Sequence, residues 1–183
     1  MNKKMLILGM SALFAVSTTV SSSTGDAFGT NTSETPPLAD NSIHNYCFVG
    51  ITESFWLNPL TAAMNKLASQ TVMTTGIQYS CNEDADVRFF KVNSAYIGNN
   101  LGLSYCNEWT NTTGICAGFH VLLNADFLTS TSYRQKTACH EVGHTVGLSH
   151  GQAYGGCMIS GLSTLNYYSD HHVAHINNYY SNK

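Results

Sequence analysis

The chain has 183 residues, 43% of them hydrophobic and only 10% charged, a composition that suits one folded domain and excludes intrinsic disorder. A formal charge of −3, with the eight Lys and Arg residues scattered along the chain, leaves no basic face and argues against a nucleic-acid partner. At the N-terminus, Lys3 and Lys4 precede an apolar stretch from Met5 to about Val16, and small polar residues follow. This is the pattern of a secretory signal peptide, residues 1–27, with cleavage expected after Ala27 and sites nearer Ser22 as the alternative. A membrane anchor would need about 20 apolar residues, and Ser17, Thr18 and Thr19 end this stretch early. No later segment is long and apolar enough to span a bilayer, so the mature chain is expected outside the cell, soluble and monomeric, with no membrane contact.

Residues 28–44, rich in Thr, Ser, Asn and Pro, read as a flexible leader or a short propeptide. The folded domain is expected over 45–183. Tyr46 to Thr52 has the β-branched and aromatic content of a strand. Asn58 and Pro59 look like a helix start, and Leu60, Met64, Leu67 and Thr71 share one face, so a helix is expected over 59–71. Gly76 to Cys81 and Asp86 to Val92 read as short strands separated by the acidic turn Asn82-Glu83-Asp84, and Phe89-Phe90 suggests burial on both faces. Residues 94–117 are difficult to assign: they carry many loop signals (Gly98-Asn99-Asn100, Gly102, Asn111 to Gly114), yet an unstructured stretch of that length is uncommon, and a Cys106–Cys116 bridge would help to order it. Gly118 to Asn124 is a further strand. A helix from about Tyr133 to Val146 should stop at Gly147, and a last helix should start near Ser169 or Asp170. Strands interleaved with helices indicate a mixed domain, a small twisted sheet packed on helices.

Cys47, Cys81, Cys106, Cys116, Cys139 and Cys157 form an even set in an exported chain, which favours three disulfides over free thiols. No pair has zinc-binding spacing. Spacing leaves the connectivity open; order and neighbourhood favour 47 with 81, 106 with 116, and 139 with 157.

Residues 140–150 read His-Glu-Val-Gly-His-Thr-Val-Gly-Leu-Ser-His. His140 and His144 are four apart on an expected helix, so they lie about 40° apart and one turn along the same face, where both imidazoles can reach one ion. Gly147 can end the helix in a left-handed conformation and return His150 to the same ion, leaving a fourth position open to water. Glu141 sits beside this face, placed to address that water as a general base. Two weaker alternatives are that the histidines are ordinary polar residues, or that zinc is structural and closed by Cys139 or Cys157. Met158 follows Gly155-Gly156 in a turn-like context eight residues beyond His150.

With this motif and Met158 in place, the chain resembles the metzincin clan of zinc metallopeptidases and looks like a minimal, matrixin-like secreted bacterial member. The resemblance implies an α+β, zincin-like catalytic domain: a small, mostly parallel sheet, an active-site helix, a methionine turn at Met158 and a C-terminal helix. It implies an endopeptidase acting on protein or peptide substrates, with one catalytic zinc on His140, His144 and His150 and with Glu141 as base. Gly118 to Asn124 would then be the edge strand that binds extended substrate, and residues 159–168 would wall a side-chain pocket. The chain departs from matrixins in several places. His171 and His172 stand where an acidic pair is expected, and the leader has no cysteine switch. Ser160 replaces the tyrosine ligand of astacin-like members, although Tyr167 or Tyr168 could approach the metal from elsewhere. No match to the structural zinc and calcium ligands is evident, so a calcium requirement stays open, and His120 and His175 read as surface or supporting residues. The rival function is a secreted zinc-binding interaction or toxin-like module without turnover, and retention of Glu141 argues against it.

Overall fold

The sheet is organised around a strand that is paired along both sides. In the computed structural model, which describes residues 35–81 and 84–183, β2 (Tyr46–Val49), β3 (Val87–Val92) and β5 (Ile115–Asn124) run parallel, with Val87 opposite Phe119 and Phe89 opposite Val121. β4 (Gly102–Trp109) runs antiparallel to β5, with Leu103 opposite Leu122 and Ser104 opposite Val121. Because the same β5 residues pair with both β3 and β4, β5 is an inner strand and β4 lies at the edge. The short β1 (Leu38–Ala39) adds to β5 at Ile115 and Cys116. The domain is thus a mixed α and β fold with a mostly parallel sheet, as the alternation of elements implies.

Four helices accompany the sheet: α1 (Ser54–Gln70), the single turn α2 (Ser94–Ile97), α3 (Thr131–Thr145) and α4 (Asp170–Tyr180). α1 buries Trp56, Leu60, Ala63, Met64 and Leu67, the three-and-four spacing of one helical face. Removing each such side chain from water is worth about 1.5–3 kcal/mol. α3 is buried on nearly every side, between α1 and the β4–β5 ladder. It starts at Ser130, whose side chain accepts from the Tyr133 amide at 3.2 Å.

Several expectations are corrected. The first helix begins five residues before Pro59 and not at it, so the proline lies inside the helix and cannot donate to the Phe55 carbonyl. Arg134 compensates: its Nη1 donates to that carbonyl at 3.4 Å while its guanidinium stacks over the Phe55 and Trp56 rings. Gly76 to Cys81 forms no strand; it is joined to β2 by an isolated bridge, with the Tyr46 amide donating to the Gly76 carbonyl and the Gln78 amide to the Tyr46 carbonyl, and by the Cys47–Cys81 disulfide. Residues 94–117, left unassigned by their loop signals, contain α2, β4 and the start of β5. The segment expected to be a flexible leader is bound to the domain from Leu38 onward: Leu38 and Ala39 pair with β5, and Ala39 is buried, its amide donating to the Tyr180 hydroxyl at 2.9 Å. Residues 1–34, with the expected signal peptide and cleavage site, lie outside the described residues, as do Asn82 and Glu83 of the acidic turn.

The structure joins Cys47 to Cys81, Cys106 to Cys116, and Cys139 to Cys157, the pairing that sequence order favours. Among the described residues, no helix is long and apolar enough to cross a membrane.

His44 is buried completely beneath α3. The Thr145 hydroxyl donates to the Val142 carbonyl at 2.7 Å, so the His44 Nε2, 2.8 Å from that hydroxyl, must be the donor. Its Nδ1 is left as a buried lone pair without a partner. Burial pulls the imidazole pKa from 6.5 down to about 3. The unfolded chain therefore binds a proton that the folded one refuses between these two values, and stability is full above pH 6.5 and falls as pH drops towards 3. The full loss amounts to a few kcal/mol at about 1.4 per pH unit. Urea denaturation across this range should show that slope, and His44→Gln should flatten it by up to one proton; an unchanged slope would refute the assignment.

Candidate metal centre

α3 ends in a turn that does two things at once. Gly147, at φ 90°, lets the Leu148 amide bond back to the Gly143 carbonyl at 3.0 Å and the Gly147 amide to the His144 carbonyl at 3.1 Å. These two bonds form the Schellman arrangement that closes a helix and reverses the chain. The same reversal places the Leu148 carbonyl 2.6 Å from the His144 Nδ1. On the other ring, the His140 Nδ1 lies 2.8 Å from the Cys157 carbonyl, on the turn that the Cys139–Cys157 disulfide ties to α3. For this 18-residue separation the chain-entropy account gives that link about 3 kcal/mol.

Carbonyls only accept, so both Nδ1 atoms carry a proton, which leaves the two Nε2 atoms as the ring positions that can hold a metal ion. These two Nε2 atoms face each other 3.2 Å apart. Tetrahedral zinc with Zn–N near 2.0–2.1 Å would set its nitrogens about 3.3 Å apart. Burial, then the neighbouring His144 and Lys136, hold the His140 imidazole well below its usual range, which keeps a lone pair on it for a metal ion. His150 completes the group: ring centroids lie 5.0 Å from both His140 and His144, and one ligand atom from each residue falls within 4.8 Å of the others. The donor set fits a zinc ion. Because all six cysteines are in disulfides, no thiolate is available to close the shell.

The three imidazoles and Glu141 line one cleft of about 560 Å³, with Gly102 to Tyr105 of β4 along one wall and Ser160 and Gly161 along another. Burial pushes the Glu141 carboxyl up to about 7, against the opposing pull of Ser104 and Lys136. The carboxylate packs against Gly102, where a Cβ would come within 2.6 Å of Oε1 and 2.7 Å of Cγ. Gly102 reads in sequence only as a loop signal; its contact spans 39 positions and leaves no local trace. Gly102→Ala should displace the Glu141 side chain and lower the melting temperature, since a Cβ there meets three of its atoms at under 3.0 Å; an unchanged melting temperature would refute the contact.

Met158 is fully buried, and its sulfur packs against Gly143, between the two helical histidines. A Cβ at Gly143 would collide with that sulfur and approach Tyr168, which explains a glycine inside the helix despite its cost of about 1 kcal/mol. Tyr168 does not face the metal group; its buried hydroxyl donates to the Cys139 carbonyl at 2.9 Å, and Tyr167 is exposed. His120 lies beside β4, its Nδ1 3.0 Å from the Tyr105 hydroxyl. His171 and His172 brace the loop after His150: Tyr154 stacks on His171 at 3.6 Å, and Gly151 leaves room for the buried His172 ring. His171 also packs on His175, 4.4 Å away.

The edge strand is reassigned by the sheet. Gly118 to Asn124 is hydrogen-bonded on both sides and has no free edge, whereas among the described residues β4 pairs with β5 alone and also borders the cleft. An extended peptide can add to β4 and not to β5. Pro36 and Pro37, in the middle of the expected leader, line the same cleft.

Fold and site together define a mixed-sheet domain with a three-histidine candidate metal centre, set on a helix and the turn that ends it. No family model and no curated protein matches the sequence. Among solved structures the chain is similar to myroilysin, at 18% identity and a TM-score of 0.41, over 60% of this chain and 50% of that one. The chain therefore spans about half of that protein's length.

Proposed function

We propose that this chain is an exported zinc endopeptidase of the metzincin clan, of the minimal matrixin-like kind, and that residues 45–183 form its catalytic domain behind a signal peptide (1–27) and a leader (28–44). The observation that supports this most is the pair of facing Nε2 atoms 3.2 Å apart, with a third imidazole beside them and a buried carboxylate in the same cleft. In this reading His140, His144 and His150 hold the metal, and Met158 forms the floor under it. Zinc there would supply Lewis-acid chemistry, bringing the pKa of a bound water near 7 and polarising the scissile carbonyl. Glu141 takes the proton from the attacking water and hands it to the leaving amine, a role suited to a carboxyl whose pKa lies near neutrality. β4 aligns the substrate through main-chain hydrogen bonds, and the Nδ1 bonds to the Cys157 and Leu148 carbonyls hold the ligand rings in one tautomer.

The test is incubation of the zinc-loaded chain with a denatured protein, with and without a chelator. Cleavage that stops with chelator and returns with zinc supports the reading. Stoichiometric zinc without any cleavage would favour the binding module.

A further inference from the structure

One turn before His140, α3 carries Lys136, which is only 3% exposed. Its ammonium donates to the Ile159 carbonyl at 2.6 Å and to the Gly161 carbonyl at 2.8 Å, which uses two of its three N–H groups. Neither ion pair among the described residues includes it. A buried cation without a counter-charge is costly, and burial pulls the Lys136 pKa down to about 8, with Glu141 drawing it back up. A neutral amide could strap α3 to the 159–161 segment at lower cost. Lys136 also borders the cleft, and so does the next residue, Thr137, whose hydroxyl is buried without a hydrogen-bond partner. Two neighbouring residues of the cleft lining, one charged and one neutral, thus each keep a donor for which no protein acceptor is seen.

We propose that Lys136 and Thr137 form a carboxylate-binding subsite, and that the preferred substrate carries Asp or Glu at a position flanking the cleaved bond. The inference rests on the peptidase reading and names its substrate class. One carboxylate oxygen takes the third N–H of Lys136, and the other takes the Thr137 hydroxyl. Lys136 and Thr137 line the same cleft as His140 and lie within about one helical turn of it along α3, so the subsite receives a side chain close to the reacting carbonyl and not a distant one. Three imidazoles around a dication, plus Lys136, outweigh the single negative charge of Glu141, and the field in the cleft favours an acidic side chain.

The experiment is a position-scanning peptide library cut by the zinc-loaded full chain, followed by paired peptides with Glu or Gln at the responsive position. A charge-assisted hydrogen bond predicts a kcat/KM for Glu ~10-fold or more above that for Gln. Lys136→Met should bring the ratio near 1, Lys136→Arg should restore most of it, and the isosteric Thr137→Val should lower it by a smaller factor. Should Lys136→Met fail to fold, the wild-type ratio and Thr137→Val still decide. Cleavage without acidic preference at either flanking position overturns the subsite and leaves the peptidase reading standing. An unchanged ratio in folded Lys136→Met also overturns it. Absence of cleavage of every peptide by zinc-loaded chain removes the peptidase reading and the subsite together.

Discussion

Glu141→Ala should retain one zinc per chain and a folded domain while kcat/KM falls by ~10³-fold or more, within the 10²–10⁴ range assigned to a positioned general base. The separation of effects follows from geometry. The ligand rings take their tautomers from the Cys157 and Leu148 carbonyls, and Glu141 is bonded to neither ring nitrogen that does so. Its own burial raises its pKa, so the folded protein gains no stability from its charge, and the Tm of the variant should hold or rise. Glu141→Gln keeps the shape against Gly102 and removes only the proton acceptor, which distinguishes base loss from cavity formation. Metal analysis, thermal melts and peptide kinetics on both variants are the measurements. Turnover surviving in Glu141→Gln would sink the base assignment, whereas loss of zinc in Glu141→Ala would recast the residue as part of the metal shell.

The candidate site was legible because chelation writes its geometry into short sequence intervals. Two imidazoles one helical turn apart, a glycine able to adopt φ 90°, and a third imidazole just beyond it are local facts, and the structure brings those three residues together. The α4 start at Ser169 was legible for the same reason, since capping is decided within a few positions: its hydroxyl accepts from the His172 amide at 3.4 Å. What the sequence hid is decided at long range. β4 alternates between half-buried and exposed residues, so it has no buried apolar stripe to announce it. A period-two signal was present in Leu103, Tyr105 and the Cys106–Cys116 pair that clips the hairpin, but the glycine and asparagine runs on both sides masked it. Gly102 against Glu141, Lys136 under the 159–161 wall, and Arg134 repairing the proline in α1 are contacts between distant segments, and no window of residues contains them. The leader misled for a related reason: a Thr- and Pro-rich stretch offers little to bury, yet one alanine and the Tyr180 hydroxyl anchor it.

Removing a ligand should act on metal and stability together, and unequally among the three histidines. For His140→Ala and His144→Ala, zinc should no longer raise the Tm, because each change destroys the close Nε2 pair around which the site is built. In the wild type, free zinc at about 100 times its Kd should add about 2.7 kcal/mol to the folded state, and chelator should remove that increment. His150→Ala leaves the pair intact on a rigid helix, so weak binding should persist with affinity lowered at least ~10²-fold, and turnover should be lost because the remaining ligands no longer fix the geometry of the open position. The turn that carries His150 has supports of its own. The Schellman bonds at Gly147 and the Tyr154–His171 stack hold the chain path whether or not a metal is bound. Loss of the third ligand should therefore appear as lost affinity and not as an unfolded loop. Titration calorimetry with zinc on the three variants, paired with melts with and without chelator, separates these outcomes; His150→Ala that keeps wild-type affinity would show that two imidazoles hold the ion and that His150 has another role.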